Sequence, residues 1–221
     1  MSRLTLRILA AVVLALAAIA VAAMFDSAVA TAMRDHGVAN FVQTHTILKW
    51  LLKLPGEFYF TAAVAIAVAA THPLKWRAGG FLLLATAVSG ANGLIKWMVG
   101  RIRPFKLGTG ELPQPFDLHP FAGGVRGIIH QPKNLCFPSG HAALAFATAA
   151  AVAMLWPRSR WRFGAYAVAC VVAAERVAEN AHWLSDVVAA AALGIGGVCL
   201  IRWIVTKLIK VEARVEGDPT A

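Results

Sequence analysis

Charge is scarce in this chain, and acidic charge is scarcest: 14% of the 221 residues are charged, with 11 Asp or Glu against 21 Lys or Arg. A soluble domain carries roughly a quarter of its residues charged, so an ordinary soluble fold is excluded. The carboxylates do not cluster, which leaves no acidic pair for a two-metal centre. Cysteine is rare as well. Cys136, Cys170 and Cys199 are odd in number and lack metal-ligand spacing, and the last two sit inside apolar runs, which argues against a disulfide framework and a metal site. Cys136 reads as a small packing residue rather than a reactive thiol. No internal repeat is present, so a solenoid is excluded too.

What the chain has instead is apolar length. It is 59% hydrophobic, with a mean hydropathy of +0.66, as expected of one integral membrane domain over residues 1–221. The spacing predicts an all-α, polytopic protein with six transmembrane helices near 8–25, 57–71, 78–99, 141–156, 163–178 and 183–205. The net charge of +10 forms no stripe or tail, so it points to membrane topology rather than nucleic acid. With six spans, Arg3 and Arg7, Lys75 and Arg77, Arg158, Arg160 and Arg162, and Lys207 and Lys210 all fall on one side, which is then cytoplasmic. The active site is expected on the extracytoplasmic side.

Three other segments carry expectations. The first apolar run reads as a retained span, although Ala28-Val29-Ala30 also has the form of a signal-peptidase site. Residues 26–56 are expected to form an amphipathic helix at the membrane surface or packed on the other spans. The segment 100–137 is polar and rich in proline and glycine, long enough to have a task such as covering a site. Its His119, Arg126, His130 and Lys133 read as solvated loop residues.

The chemistry gathers in three clusters. In Phe137-Pro138-Ser139-Gly140-His141 a helix-capping serine, a glycine and an imidazole open a long apolar run, where unpaired backbone N–H groups can cradle a phosphate. Lys96 and Arg103 would project from one face if their helix continues, as a phosphate clamp requires; they can equally be snorkelling anchors. Arg176, His182 and Asp186 flank the turn between the last two spans, with His182 and Asp186 four residues apart on one helix face. Singly these are also ordinary cap and surface residues. Together they describe phosphoryl transfer through histidine. His182 attacks phosphorus, Asp186 fixes its tautomer, and His141 protonates the leaving oxygen. Lys96, Arg103, Arg176, the Ser139 hydroxyl and the backbone near Gly140 hold the phosphoryl oxygens. No cofactor or metal is called for.

Lys96-x6-Arg103-Pro104, Pro138-Ser139-Gly140-His141, and Arg176-x5-His182-x3-Asp186 resemble, in order and spacing, the three signature motifs of the type 2 phosphatidic acid phosphatase (PAP2) superfamily. They span residues 96–186. The resemblance implies a metal-independent membrane lipid phosphatase with His182 as nucleophile. Its substrate would be a phosphorylated membrane lipid: polyprenyl diphosphate, phosphatidylglycerol phosphate, phosphatidic acid or a lipid A phosphate. It suits a bacterial inner membrane with the site facing the periplasm. The chain departs from the family pattern at Glu175, where the third motif usually has Ser; a carboxylate there can pair with Arg176 or repel a phosphate dianion. Two other functions stay open: a lipid phosphotransferase that passes the phosphate to another lipid, and a non-catalytic lipid-binding or transport protein.

Overall fold

The computed structural model describes residues 2–104, 117–129 and 134–215. Ten helices follow in order: α1 (Arg3–Asp35), α2 (Val38–Thr44), α3 (Thr46–Lys53), α4 (Phe58–Thr71), α5 (Lys75–Ala85), α6 (Ala87–Val99), α7 (Arg126–Ile129), α8 (Gly140–Leu155), α9 (Trp161–Ala178) and α10 (Leu184–Val215). Among the described residues β-structure is limited to two isolated antiparallel bridges, Arg101 with Leu118 and Ile102 with Leu135.

Helix α8 is the centre of the bundle. Every residue from Ala142 to Ala151 is buried, and seven of these ten are alanine, so neighbouring backbones can approach closely. One side packs on α9 and α10 through Ala169, Val172, Val177, Val187 and Ala190. The other meets α4, α5 and α6 through Ala65, Val68, Leu82 and Val88. Helix α1 buries only Ala22, Asp26 and Ala30, a single stripe of four-residue spacing. Many of its other apolar side chains, such as Val13, Leu14 and Met24, face outward, as a lipid-facing helix requires.

Each of the six expected spans coincides with helix. Among the described residues three helical stretches are long and apolar enough to cross a membrane, Arg3–Asp35, Lys75–Val99 and Leu184–Leu208, and a fourth is added if Thr46–Gly56 and Phe58–Thr71 form one span bent by 53°. Helix α8 is apolar but shorter. Two boundaries differ from the sequence expectation. The third span is divided at Thr86, whose backbone N–H and hydroxyl both bond the Leu83 carbonyl. The segment expected to be amphipathic over 26–56 belongs to α1 as far as Asp35, because nothing in residues 26–35 breaks the helix; Gly37, in the left-handed region, is where the chain turns.

The amphipathic part is α3. It turns Ile47, Trp50 and Leu51 outward and its lysines inward, Lys49 to Glu179 and Lys53 to Glu57. That inverts the arrangement of a soluble helix and fits apolar surroundings.

Candidate active site

The turn from α9 to α10 builds the first part of the site. Helix α9 is closed by Asn180 in the left-handed region at φ 59°, and the N–H groups of Ala181 and His182 both bond the Arg176 carbonyl at 3.2 Å. His182 therefore lies in the connection, two residues before α10 begins at Leu184, and not on the helix face where the spacing placed it. It still meets Asp186, Nδ1 to Oδ2 at 3.3 Å, and the same oxygen accepts from the Trp183 N–H at 3.1 Å. His182 is 2% exposed and Asp186 fully buried. Burial pushes the His182 imidazole well below the usual histidine range, opposed by its bond to Asp186. The ring is neutral at pH 7, and its Nδ1 contact leaves Nε2 as the free nitrogen.

Asp186 is itself clamped. Its Oδ1 accepts from Arg101 Nη1 at 2.6 Å; that nitrogen also donates to Ser185 Oγ at 2.7 Å, and Arg101 Nη2 donates to Asp26 Oδ2 at 2.7 Å. Asp26 completes the ring by accepting from the Ser185 N–H and hydroxyl at 2.8 and 2.5 Å. The Arg101 guanidinium also stands over the Trp183 ring, 5.1 Å from its centroid. Asp26, Arg101 and Ser185 were not expected from the motifs. A signal existed for one of them: Asp26 is an acid within an apolar helix, where ionisable residues are functional candidates by default.

Lys96 and Arg103 are not presented by a continuous helix. Helix α6 ends at Val99, and Gly100 follows in the left-handed region at φ 65°. A Cβ on Gly100 would lie 1.8 Å from the His119 carbonyl oxygen, so only glycine makes this turn. The chain then runs through the two bridges, pairing Arg103 N–H with Asn134 and Cys136 N–H with Arg101. Lys96 and Arg103 both act electrostatically on His182. In the same long segment His119 and Arg126 are exposed, as expected of loop residues. His130 and Lys133, and residues 105–116 of the segment expected to cover the site, lie outside the described residues.

At the opening of α8, Ser139 occupies the cap position, but its side chain makes no cap bond. Its hydroxyl is fully buried and has no hydrogen-bond partner among the described residues. Asn92, on α6, secures this turn instead: its amide donates to the Pro138 carbonyl at 3.0 Å and accepts from the Gly140 N–H at 3.1 Å. A buried, unpartnered hydroxyl costs free energy unless something fills it, and at a helix N-terminus an anionic oxygen is the natural acceptor. His141, on the first turn of α8, contacts Glu57 Oε1 through Nε2 at 3.1 Å.

Arg176 is buried on the last turn of α9. It pairs in bidentate fashion with Glu175 and reaches Glu179 at 2.8 Å. Of the two possibilities for Glu175, pairing is the one the structure takes.

Among the described residues one group could hold a metal ion: Cys136, His182 and Asp186, whose ligand atoms lie within 4.8 Å of one another. Their chemistry suits hydrogen bonding better. Burial and the Asp186 charge push the Cys136 thiol far above its usual range, and it donates to the Ile102 carbonyl at 3.3 Å. A protonated thiol is a poor ligand. Cys136 is fully buried beside Ala30 and Trp183, the packing role expected of it.

Starting one turn along α8 from His141, α4, α8 and α9 form a cavity of ≈ 780 Å³, lined by Pro55, Phe60, Val64, Ala145, Thr148 and Trp156 among others. Ala145 is one turn beyond His141 on α8, so the apolar cavity begins next to the polar cluster.

The model of the PAP2 superfamily matches residues 76–210. A lipid A 1-phosphatase of Rhizobium etli is 30% identical over 184 residues, covering 77% of this chain and 73% of that protein. A lipid A 1-phosphatase of Rhizobium johnstonii is 36% identical over 120 residues, 52% of this chain and 43% of that protein. In fold, the chain is similar to the crystal structure of a PAP2 type phosphatidylglycerolphosphate phosphatase from Bacillus subtilis, with a TM-score of 0.52 at 17% identity, covering 86% of this chain and 96% of the other. With a family model matched over more than half its length and all three motifs gathered around one buried histidine, this chain belongs to the PAP2 superfamily.

Proposed function

We propose that this integral membrane protein is a lipid phosphatase that removes a terminal phosphate through a phosphohistidine on His182. The observation that carries the reading is the buried His182–Asp186 pair, which holds one imidazole nitrogen and leaves the other available for attack. His182 Nε2 attacks phosphorus while the bond from phosphorus to the lipid oxygen breaks, and His141 gives its proton to that oxygen. Asp186 stabilises the charge the imidazole gains. Water, deprotonated by His141, then cleaves the N–P bond and releases inorganic phosphate.

Lys96, Arg103, Arg176, the Ser139 hydroxyl and the N–H groups near Gly140 hold the phosphoryl oxygens as their charge redistributes. Each step uses only the chain's own donors and bases, so the reaction is proposed to be metal-independent. The apolar cavity that starts one turn along α8 from His141 suits the alkyl part of a lipid. Among candidate lipids, the names of the two relatives favour a lipid A phosphate, with phosphatidylglycerol phosphate, phosphatidic acid and polyprenyl diphosphate as the other classes to try. If the six apolar runs each cross a bacterial inner membrane, the distribution of Lys and Arg supports an extracytoplasmic face for the three motifs.

The test is phosphate release by the purified protein from these four lipids in detergent with EDTA present. Selective release that His182→Ala abolishes is the expected result. Reversible loss on chelation would overturn the metal-free mechanism, and full activity of His182→Ala would overturn the nucleophile.

A further inference from the structure

Glu57 is absent from the three motifs, yet it reaches His141. It is the residue before α4 and follows the tight turn Leu54–Gly56, with extended backbone at φ −97° and ψ 147°. That turn is seated directly on α8: a Cβ on Gly56 would lie 2.7 Å from the His141 carbonyl oxygen and 2.8 Å from its Cβ. The close approach brings the next side chain onto the imidazole, Glu57 Oε1 to His141 Nε2 at 3.1 Å. The same oxygen is 3.2 Å from Lys53 Nζ, one helical turn earlier. A single carboxylate oxygen is therefore shared between a fixed cation and a titrating ring.

The charged groups acting on His141 come from three elements. Lys53 stands on α3, Glu57 at the start of α4 and Arg176 on α9. Glu57 is the acidic one of the three and the one in direct contact with the ring. A carboxylate bonded to one ring nitrogen aims the imidazole and favours a proton on it.

We propose that Glu57 is a positioning residue for the acid step: it aims the His141 ring and supports the proton that the leaving oxygen takes, with Lys53 moderating the carboxylate. The proton travels from His141 Nδ1, the nitrogen Glu57 does not hold, to the lipid oxygen as the P–O bond breaks, leaving a neutral imidazole whose Nε2–H stays against Glu57. The proposal rests on the phosphatase reading for its kinetic consequence, but the electrostatic coupling can be measured without turnover.

The experiment is a histidine side-chain NMR titration of the full-length protein in detergent, with the His141 resonance assigned by its loss in His141→Asn. In Glu57→Gln, which keeps the shape and removes the charge, His141 should titrate about one pH unit lower than in the wild type. Lys53→Met should shift it the other way, and that variant leaves both contact partners intact if Glu57→Gln folds poorly. The companion measurement is the pH profile of kcat. In Glu57→Gln the loss on the alkaline side should begin at lower pH, and the loss in kcat should be larger for an alkyl phosphate than for an aryl phosphate, whose leaving oxygen needs the proton less. Glu57→Asp should restore part of both. An unchanged His141 titration in Glu57→Gln and Lys53→Met would overturn the proposal while leaving His182 and the phosphatase reading untouched. A purely structural Glu57 would instead lower kcat equally for both substrates with no movement of the alkaline limb.

Discussion

Arg101 Nη1 lies 2.6 Å from Asp186 Oδ1, so the carboxylate that orients His182 is held from the stretch that follows α6. Arg101 is 4% exposed, and Asp26 and Asp186 are fully buried. One guanidinium therefore serves two buried carboxylates. Removing one partner from a buried ion pair costs about 3–5 kcal/mol, because the remaining charge is stranded. Arg101→Met should lower the thermal midpoint markedly and reduce phosphate release along with it. Arg101→Lys should recover little, since an ammonium lacks the planar fork that reaches both carboxylates. A thermal scan of both variants in detergent decides it, and a wild-type midpoint in Arg101→Met would show that the clamp does not hold the fold.

The second prediction concerns pH. The proposed attack requires His182 as the free base, and burial lowers its affinity for the proton. A group whose folded-state value is depressed stays neutral to lower pH, so the acid limb of kcat/KM should fall below the ordinary histidine value of 6.5. In Asp186→Asn the carboxylate that favours the imidazolium is gone, so the limb should move to still lower pH, while kcat drops by on the order of 10³–10⁴, as for loss of the orienting acid in a catalytic triad. A pH-rate profile of wild type and variant tests both parts.

Asn92 offers a third. It bonds the Pro138 carbonyl and the Gly140 N–H, so Asn92→Leu should leave two backbone groups without partners at about 1–3 kcal/mol each. The turn holding Ser139 should loosen, which lowers kcat more than it raises KM if the cradle acts chiefly in the transition state. Kinetics over a range of lipid concentrations read the split.

Glu175 supplies the fourth. Its carboxylate and that of Glu179 share the Arg176 guanidinium. Glu175→Ser, which restores the usual family residue, should free part of Arg176 for an anion and strengthen inhibition by inorganic phosphate or vanadate several-fold. Weaker inhibition would mean that Glu175 serves chiefly to aim Arg176, whose guanidinium is lost from the site without it.

The helices and the three motifs were legible from the amino-acid order because both are local. Apolar runs of membrane length can scarcely be anything but helix in lipid, where every backbone group must find its partner within the segment. Lys96, Arg103, Ser139, Gly140, His141, Arg176, His182 and Asp186 carry recognisable chemistry at short spacing. What spacing could not convey was how the chain departs from ideal helix. Gly100 ends α6 before Arg103, Asn180 ends α9 before His182, and Ser139 caps α8 by position without using its hydroxyl.

Tertiary structure alone decided the supporting groups. Arg101 is separated from Asp26 by 75 residues and from Asp186 by 85, and His141 from Glu57 by 84. No local pattern links such residues, and a lone acid beside an apolar run looks the same whether it faces water or a buried arginine. Their pairing follows from packing: α1 lays a narrow stripe on α10, and the glycine turn before α4 sits on α8. Once those surfaces meet away from water, a charge that lacked a partner would be expelled or neutralised. The sequence by itself thus determined which residues form the three motifs of the candidate site, and the packing of distant helices determined which residues hold them in place.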